Sequence, residues 1–126
     1  MPVHYEKLNV IKDARGVVFE PLSGDAISDK KNVHVVISGP GVIRGNHYHK
    51  EGEETIVVMG PALVRVRDHA EIKDIDIPDG EVYSFIFPQG QSHAIKNLSS
   101  GMNILVAFNT AGHDRQHPDT EVDVLL

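Results

Sequence analysis

The sequence predicts an all-β protein, a sandwich or barrel of about ten short strands, and three observations lead there. No window of the 126 residues sustains a helical period. Gly or Pro interrupts the chain roughly every ten residues, a spacing that suits short strands. Where side chains alternate, they do so with period two: Val64 and Val66 share one face while Arg65 and Arg67 take the other, and Tyr83, Phe85 and Phe87 lie opposite Val82, Ser84 and Ile86.

Taken in order, strands are expected at residues 3–12, 16–21, 33–38, 42–49, 54–59, 62–67, 72–77, 82–87, 93–98 and 103–108. The turns between them carry their own chemistry. Ser38-Gly39-Pro40-Gly41, Pro78-Asp79-Gly80, Pro88-Gln89-Gly90 and Ser99-Ser100-Gly101 supply the fixed or positive φ values that reverse a chain. Residues 110–119 are polar and read as a surface loop able to fold over a barrel mouth, before a last strand at 121–125. No linker or low-complexity tract divides the sequence, so one domain over residues 1–126 is expected.

Composition narrows the function. With 40% hydrophobic and 24% charged residues and no long apolar run, a soluble protein is expected rather than a membrane one. The first residues lack a secretory pattern and cysteine is absent, which favours a cytoplasmic location and leaves only nitrogen and oxygen donors for any metal. A formal net charge of −6 without a basic block argues against nucleic acid as a partner. A small anionic ligand would need a local Arg or Lys.

Two blocks carry chemistry. In the first, Gly41 is followed by His47, His49, Glu53 and Gly60, at intervals of five, one, three and six residues. Alternate residues of a strand share a face, so His47 and His49 can point at one object, and the residue types suggest a metal ion. Glu53 and Glu54 are neighbours, and only one can face inward from a regular strand. The interval to Gly60 selects Glu53, and a bulge at Gly52 would substitute Glu54. The second block is Pro88-Gln89-Gly90-Gln91-Ser92-His93-Ala94-Ile95-Lys96-Asn97.

Together these blocks resemble the paired signature motifs of the cupin superfamily. That resemblance implies a double-stranded β-helix, a small jelly-roll barrel, with His47, His49, Glu53 and His93 as ligands pointing into it. Val82 stands where the second motif usually has a glycine, a departure that affects a turn and no ligand. Three imidazoles and a carboxylate suit a divalent ion, Zn first and Fe, Mn or Ni next. His4, His34 and His69 lie outside any constellation and are expected to carry no site role.

Within the cupins, Val42-Ile43-Arg44-Gly45-Asn46-His47-Tyr48-His49 and Pro118-Asp119-Thr120 resemble the small cupins of bacterial surface-polysaccharide synthesis. The likeness is to the C-terminal cupin domain of capsular-polysaccharide assembly enzymes. It implies an epimerase or isomerase of a nucleotide-linked 4-keto-6-deoxy sugar, a homodimer paired through edge strands such as residues 3–12, and a separate reductase as partner. Arg44 and Asn46 become candidate substrate contacts, Arg44 because a guanidinium matches a diphosphate. Epimerisation beside a ketone also needs a general base, for which His113 and His117 are candidates, with Tyr83 as proton donor on the opposite face. The alternatives are another metal-dependent cupin enzyme, such as an iron oxygenase, and a non-catalytic sugar- or small-molecule-binding cupin.

Overall fold

The computed structural model describes residues 3–112 and 114–126. The alternating runs form two five-stranded antiparallel sheets. In spatial order the first holds β1 (His4–Lys7), β9 (Val82–Phe87), β6 (Glu54–Met59), β11 (Asn103–Asn109) and β4 (Asn32–Ser38). The second holds β12 (Thr120–Val122), β5 (Ile43–His49), β10 (His93–Asn97), β7 (Ala62–Asp68) and β8 (Glu71–Ile77). From β4 on, consecutive strands alternate between the sheets except for the β7–β8 hairpin, and the two inner faces close on one another as a barrel. Among the described residues no helix is long and apolar enough to cross a membrane.

Period-two alternation decides which side chains fill the space between the sheets. Val64 and Val66 are fully buried, as are Phe85 and Phe87, and they pack with Ile56, Val58, Ile77 and Leu105 from both sheets. Burying side chains of this size contributes roughly 1.5–3 kcal/mol each. The rings of β9 continue as a column, with Phe85 5.8 Å from Phe87 and Phe87 4.0 Å from the imidazole of His93.

Four elements differ from expectation: the strands expected at 3–12, 16–21 and 121–125, and a short helix that sequence did not predict. The first strand ends once Leu8 N–H has donated to the Val82 carbonyl at 2.8 Å. The chain then leaves the sheet, and β2 (Ile11–Asp13) pairs only with β3 (Gly16–Val18). A four-residue helix, α1 (Asp25–Ser28), is too short to show a period in sequence. The last strand forms at Thr120–Val122, because Glu121 and Val122 pair with Tyr48 and His47 while residues further on are held differently.

The turn that leads into β5 is latched by Asn97. Its buried amide donates to the carbonyls of Ser38, Gly39 and Gly101 at 3.2, 3.0 and 2.9 Å and accepts from Ser99 N–H at 2.9 Å.

Strand β5 also contains a bulge. Against β10, His47 lies opposite His93 and Gly45 opposite Ala94, so Asn46 is an extra residue. Both bulge residues have positive φ, 88° for Gly45 and 56° for Asn46, a region open to Gly and tolerated by Asn. A Cβ on Gly45 would sit 2.7 Å from the His93 carbonyl oxygen. The extra residue changes the parity of the strand. Arg44 lies opposite inward-facing Ile95, so Arg44 and His47, three positions apart, both face the interior.

Candidate metal centre

At the end of the barrel where β5 finishes and β6 and β10 begin, four side chains converge. His47 and His49 come from β5, His93 from β10, and the carboxylate from β6 on the opposite sheet. One ligand atom from each of His47, His49, Glu54 and His93 lies within 4.8 Å of every other. The cluster therefore spans both sheets.

The carboxylate is Glu54, and Glu53 is exposed. Inward-facing Ile56 and Val58 share parity with Glu54, which places Glu53 on the outer side. Glu53 enters the strand through its backbone, its N–H donating to Thr110 Oγ1 at 3.0 Å. Gly52 is buried against Asn109, whose side chain a Cβ there would strike.

Hydrogen bonds around the cluster set the direction of its lone pairs. His93 Nδ1 lies 3.1 Å from the Gln91 carbonyl, which can only accept, so Nδ1 carries the proton and Nε2 turns a lone pair inward. That Nε2 is 3.3 Å from Glu54 Oε1, and His49 Nε2 is 3.1 Å from the same oxygen. These approaches are close but not aligned as hydrogen bonds, and both nitrogens are buried without a partner. Behind His49, Nδ1 lies 3.5 Å from Asp119 Oδ2 and 3.4 Å from the Asn109 amide. Asp119 is itself fixed, accepting from Glu51 N–H and Gly52 N–H at 2.9 Å each.

Titration behaviour follows from this packing. Burial works to raise the Glu54 carboxyl, but the contacts with His49 and His93 outweigh it and hold the group well below its usual value. Burial works to lower His49, and Glu54 with Asp119 reverses the sign and raises it. His47 is pushed down to about 4, by burial first and by neighbouring His93 and His49 second, so it is neutral at pH 7. An ionised carboxylate facing an imidazole lone pair, with both atoms buried, requires a proton or a cation between them. Borderline nitrogen donors with one hard oxygen fit a divalent transition ion or zinc, so these four residues suit a metal.

Two cavities flank the cluster and share Glu54 and His34. The larger, of about 320 Å³, runs into the barrel past His47 and His93, with apolar walls from Val36, Ile56, Ile95 and Leu105, and Arg44 at its margin. The smaller, of about 190 Å³, lies beyond His49 and is walled by Asn32, Asn109 and the tail residues Gly112, Asp114, Pro118 and Asp119. The polar tail does fold over one mouth.

The other expected residues fall in different places. Arg44 lines the larger cavity and is held by Ser38 Oγ at 2.9 Å and the Ile37 carbonyl at 3.3 Å. Asn46 faces away, its Oδ1 accepting from Leu125 and Leu126 N–H at 2.9 and 3.1 Å, so it secures the C-terminal segment and not a ligand. Tyr83 lies at the far end of the aromatic column, stacked on Tyr5 and Phe85, outside both cavities. His117 is exposed and sits 3.1 Å from Asp114, also outside both cavities. His113 lies outside the described residues. His34, read from sequence as lying outside any constellation, is exposed and lines both cavities, and Asp119 and Asn109 behind His49 drew no expectation of a site role.

Comparison with known proteins agrees with this architecture. A family model described as polysaccharide biosynthesis C-terminal domain matches residues 11–121. The capsular polysaccharide assembling protein CapF from Staphylococcus aureus is 27% identical with a TM-score of 0.69, over 94% of this chain and 33% of that one. A 3,4-ketoisomerase from Helicobacter canadensis superposes with a TM-score of 0.74 over 98% of this chain and 92% of that one, at 18% identity, which speaks for the fold alone. Oxalate decarboxylase OxdC of Bacillus subtilis is 35% identical over 71 residues, 56% of this chain and 18% of that protein. The chain thus spans about a third of CapF and less than a fifth of the decarboxylase.

Proposed function

The chain belongs to the polysaccharide biosynthesis C-terminal domain family, and from that premise we propose that it is a metal-dependent epimerase or isomerase of a nucleotide-linked keto-sugar. The observation that carries the reading is the convergence of His47, His49, Glu54 and His93 beside a largely apolar cavity with Arg44 at its margin. Likeness to CapF, a capsular polysaccharide assembling protein, supports the substrate class, and a homodimer and a separate reductase partner belong to the same reading. A divalent ion held by the four residues, zinc first, would act as a Lewis acid on a ketone oxygen and ease loss of the neighbouring proton.

The chain's own residues supply the rest. Asp119 and the Gln91 carbonyl orient His49 and His93 so that their Nε2 atoms face inward. The apolar walls around Val36, Ile56 and Leu105 exclude water and seat the deoxygenated part of a sugar. Arg44, anchored by Ser38 and Ile37, offers a cation to a diphosphate at the cavity margin.

The test is incubation of zinc-loaded protein with 4-keto-6-deoxy UDP- and dTDP-sugars in deuterated water. Deuterium at a carbon beside the ketone is expected, and its absence from every sugar would remove the reading. A second reading is metal-dependent chemistry on a small acid, favoured by the similarity to oxalate decarboxylase and to bovine 3-hydroxyanthranilate 3,4-dioxygenase, 24% identical over 91% of this chain and 37% of that protein. Oxygen consumption by iron-loaded protein, with no deuterium incorporation, would select it.

A further inference from the structure

We infer that His34 is the acid–base residue of this site, facing the substrate from the wall opposite His47. The inference rests on the isomerase reading and extends it by naming the group that moves the proton. The sequence gives no hint of it, because His34 stands alone between Val33 and Val35, thirteen positions before the nearest proposed ligand.

Register brings it into place. Strand β4 pairs with β11, setting His34 opposite Ala107 and Val36 opposite Leu105. Ala107 and Leu105 belong to the inward-facing core, so His34 and Val36 share the inner face of that sheet, Val36 half-buried and His34 exposed at its open margin. Arg44 and His47 approach the same cavity from the facing sheet.

Elimination points the same way. Among the described residues, the ionisable side chains lining the larger cavity are His34, Arg44, His47, Glu54 and His93. Three of these belong to the four-residue cluster, and a ligand donating its lone pair to an ion cannot also accept a substrate proton. Arg44 carries a guanidinium, which offers donors and no acceptor and cannot serve as a base. His34 is the residue of this set with an imidazole outside the cluster. It also lines the smaller cavity, which opens a path from the site toward solvent by which protons can exchange.

The step balances without a further reactant. A ring nitrogen of His34 takes the proton from the carbon beside the ketone. The C–H electron pair becomes a carbon–carbon double bond, and the carbonyl π pair moves onto oxygen, giving an enolate and an imidazolium. In an epimerisation water returns a proton to the same carbon from the opposite face, and the imidazolium gives its proton to the hydroxide that the water leaves. In an isomerisation that carbon bears a hydroxyl, which passes its proton to the enolate oxygen and becomes the new ketone. The imidazolium, its proton exchanged with solvent, then protonates the former carbonyl carbon.

The experiment compares zinc-loaded wild type, His34→Gln, His34→Ala and His117→Gln, using the same keto-sugars in deuterated water, with zinc content measured on each preparation. Wild-type incorporation lost by roughly a hundredfold or more in both His34 variants, with zinc content unchanged, is expected. Partial recovery of His34→Ala by imidazole, at concentrations that leave bound zinc unchanged, separates proton transfer from a structural role. His117→Gln should match wild type. If His34→Gln incorporates deuterium within threefold of wild type, or if its loss tracks loss of zinc, the assignment is wrong while the isomerase reading stands. If wild type incorporates none from any sugar, both fall.

Discussion

Replacing Gly45 by Ala tests whether the β5 bulge builds the site. Two costs follow from its geometry. An L-residue at φ 88° leaves its preferred regions, at about 1–2 kcal/mol. The new Cβ would stand 2.7 Å from the His93 carbonyl oxygen and 3.3 Å from Ala94 Cα. Both are backbone atoms and can yield only if β5 and β10 move apart, an overpacking cost of about 1–3 kcal/mol. The sum, about 2–5 kcal/mol, is a large part of the roughly 5–15 kcal/mol by which a typical domain is stable. Gly41→Ala is the matched control, since Gly41 has φ 74° and nothing within 4 Å of the same Cβ position, so it carries the first cost without the second. Urea unfolding in the presence of chelator reads stability, and zinc titration against a competing chelator reads the site. Gly45→Ala should be the less stable of the two and should bind zinc at least tenfold more weakly, because His47 and His93 face each other across the displaced pair. Equal stability of the two variants, with wild-type zinc affinity in Gly45→Ala, would refute the argument.

Glu54→Gln should lower zinc affinity roughly tenfold or more, while Glu53→Gln, on the exposed side, should leave it within twofold of wild type; the reverse order in a zinc titration would return the ligand to Glu53. Asn97→Ala should cost about 2–3 kcal/mol in a urea melt, because three turn carbonyls lose a buried donor; a loss under 0.5 kcal/mol, about the scatter of surface substitutions, would count against the latch. In metal-free protein His47 makes stability fall with acid. Its folded pKa of about 4 lies below the unfolded 6.5, so as pH drops through that window the unfolded chain binds a proton that the folded chain refuses. His49 has the opposite sign, contributing stability below 6.5 that is lost as pH rises through its raised value. His47→Gln should therefore flatten the decline of the urea midpoint between pH 6.5 and 4, and an unchanged slope would contradict the assignment.

What could be read from the chain depended on how local each signal was. Strands 54–59 and 82–87 form with the expected bounds because Gly or Pro closes each run at its C-terminal end and the runs are apolar or alternate. The three histidines were legible because His47 and His49 need only a strand to share a face, and His93 sits in a second block of recognisable spacing. The choice between Glu53 and Glu54 was not, since β6 is buried on both faces and Thr55 and Val57 disguise the inward parity of Ile56 and Val58. Arg44 faces the cavity only because Asn46 is an extra residue, a register fact visible only against β10. His34 and Asp119 were missed because their roles depend on strands placed by long-range pairing, β4 against β11 and β12 against β5.

The division of the site between two sheets has a consequence for how a substrate would be accommodated. The larger cavity, about 320 Å³, stands at the lower end of the roughly 300–1,000 Å³ usual for ligand pockets. A single sugar ring fits such a space, and a nucleotide diphosphate with its base does not fit beside it. On the proposed reading the sugar is enclosed between His34 and the metal cluster while the nucleotide stays outside. Arg44 is the cation at that boundary, and Ser38 and Ile37 at the end of β4 hold its side chain. The same edge strand therefore carries the anchor of the diphosphate contact and, through His34, the proposed proton acceptor. On the proposed reading a shift of β4 against β11 would move both together and so couple binding to proton transfer through one strand register, with His34 opposite Ala107 and Ser38 opposite Asn103.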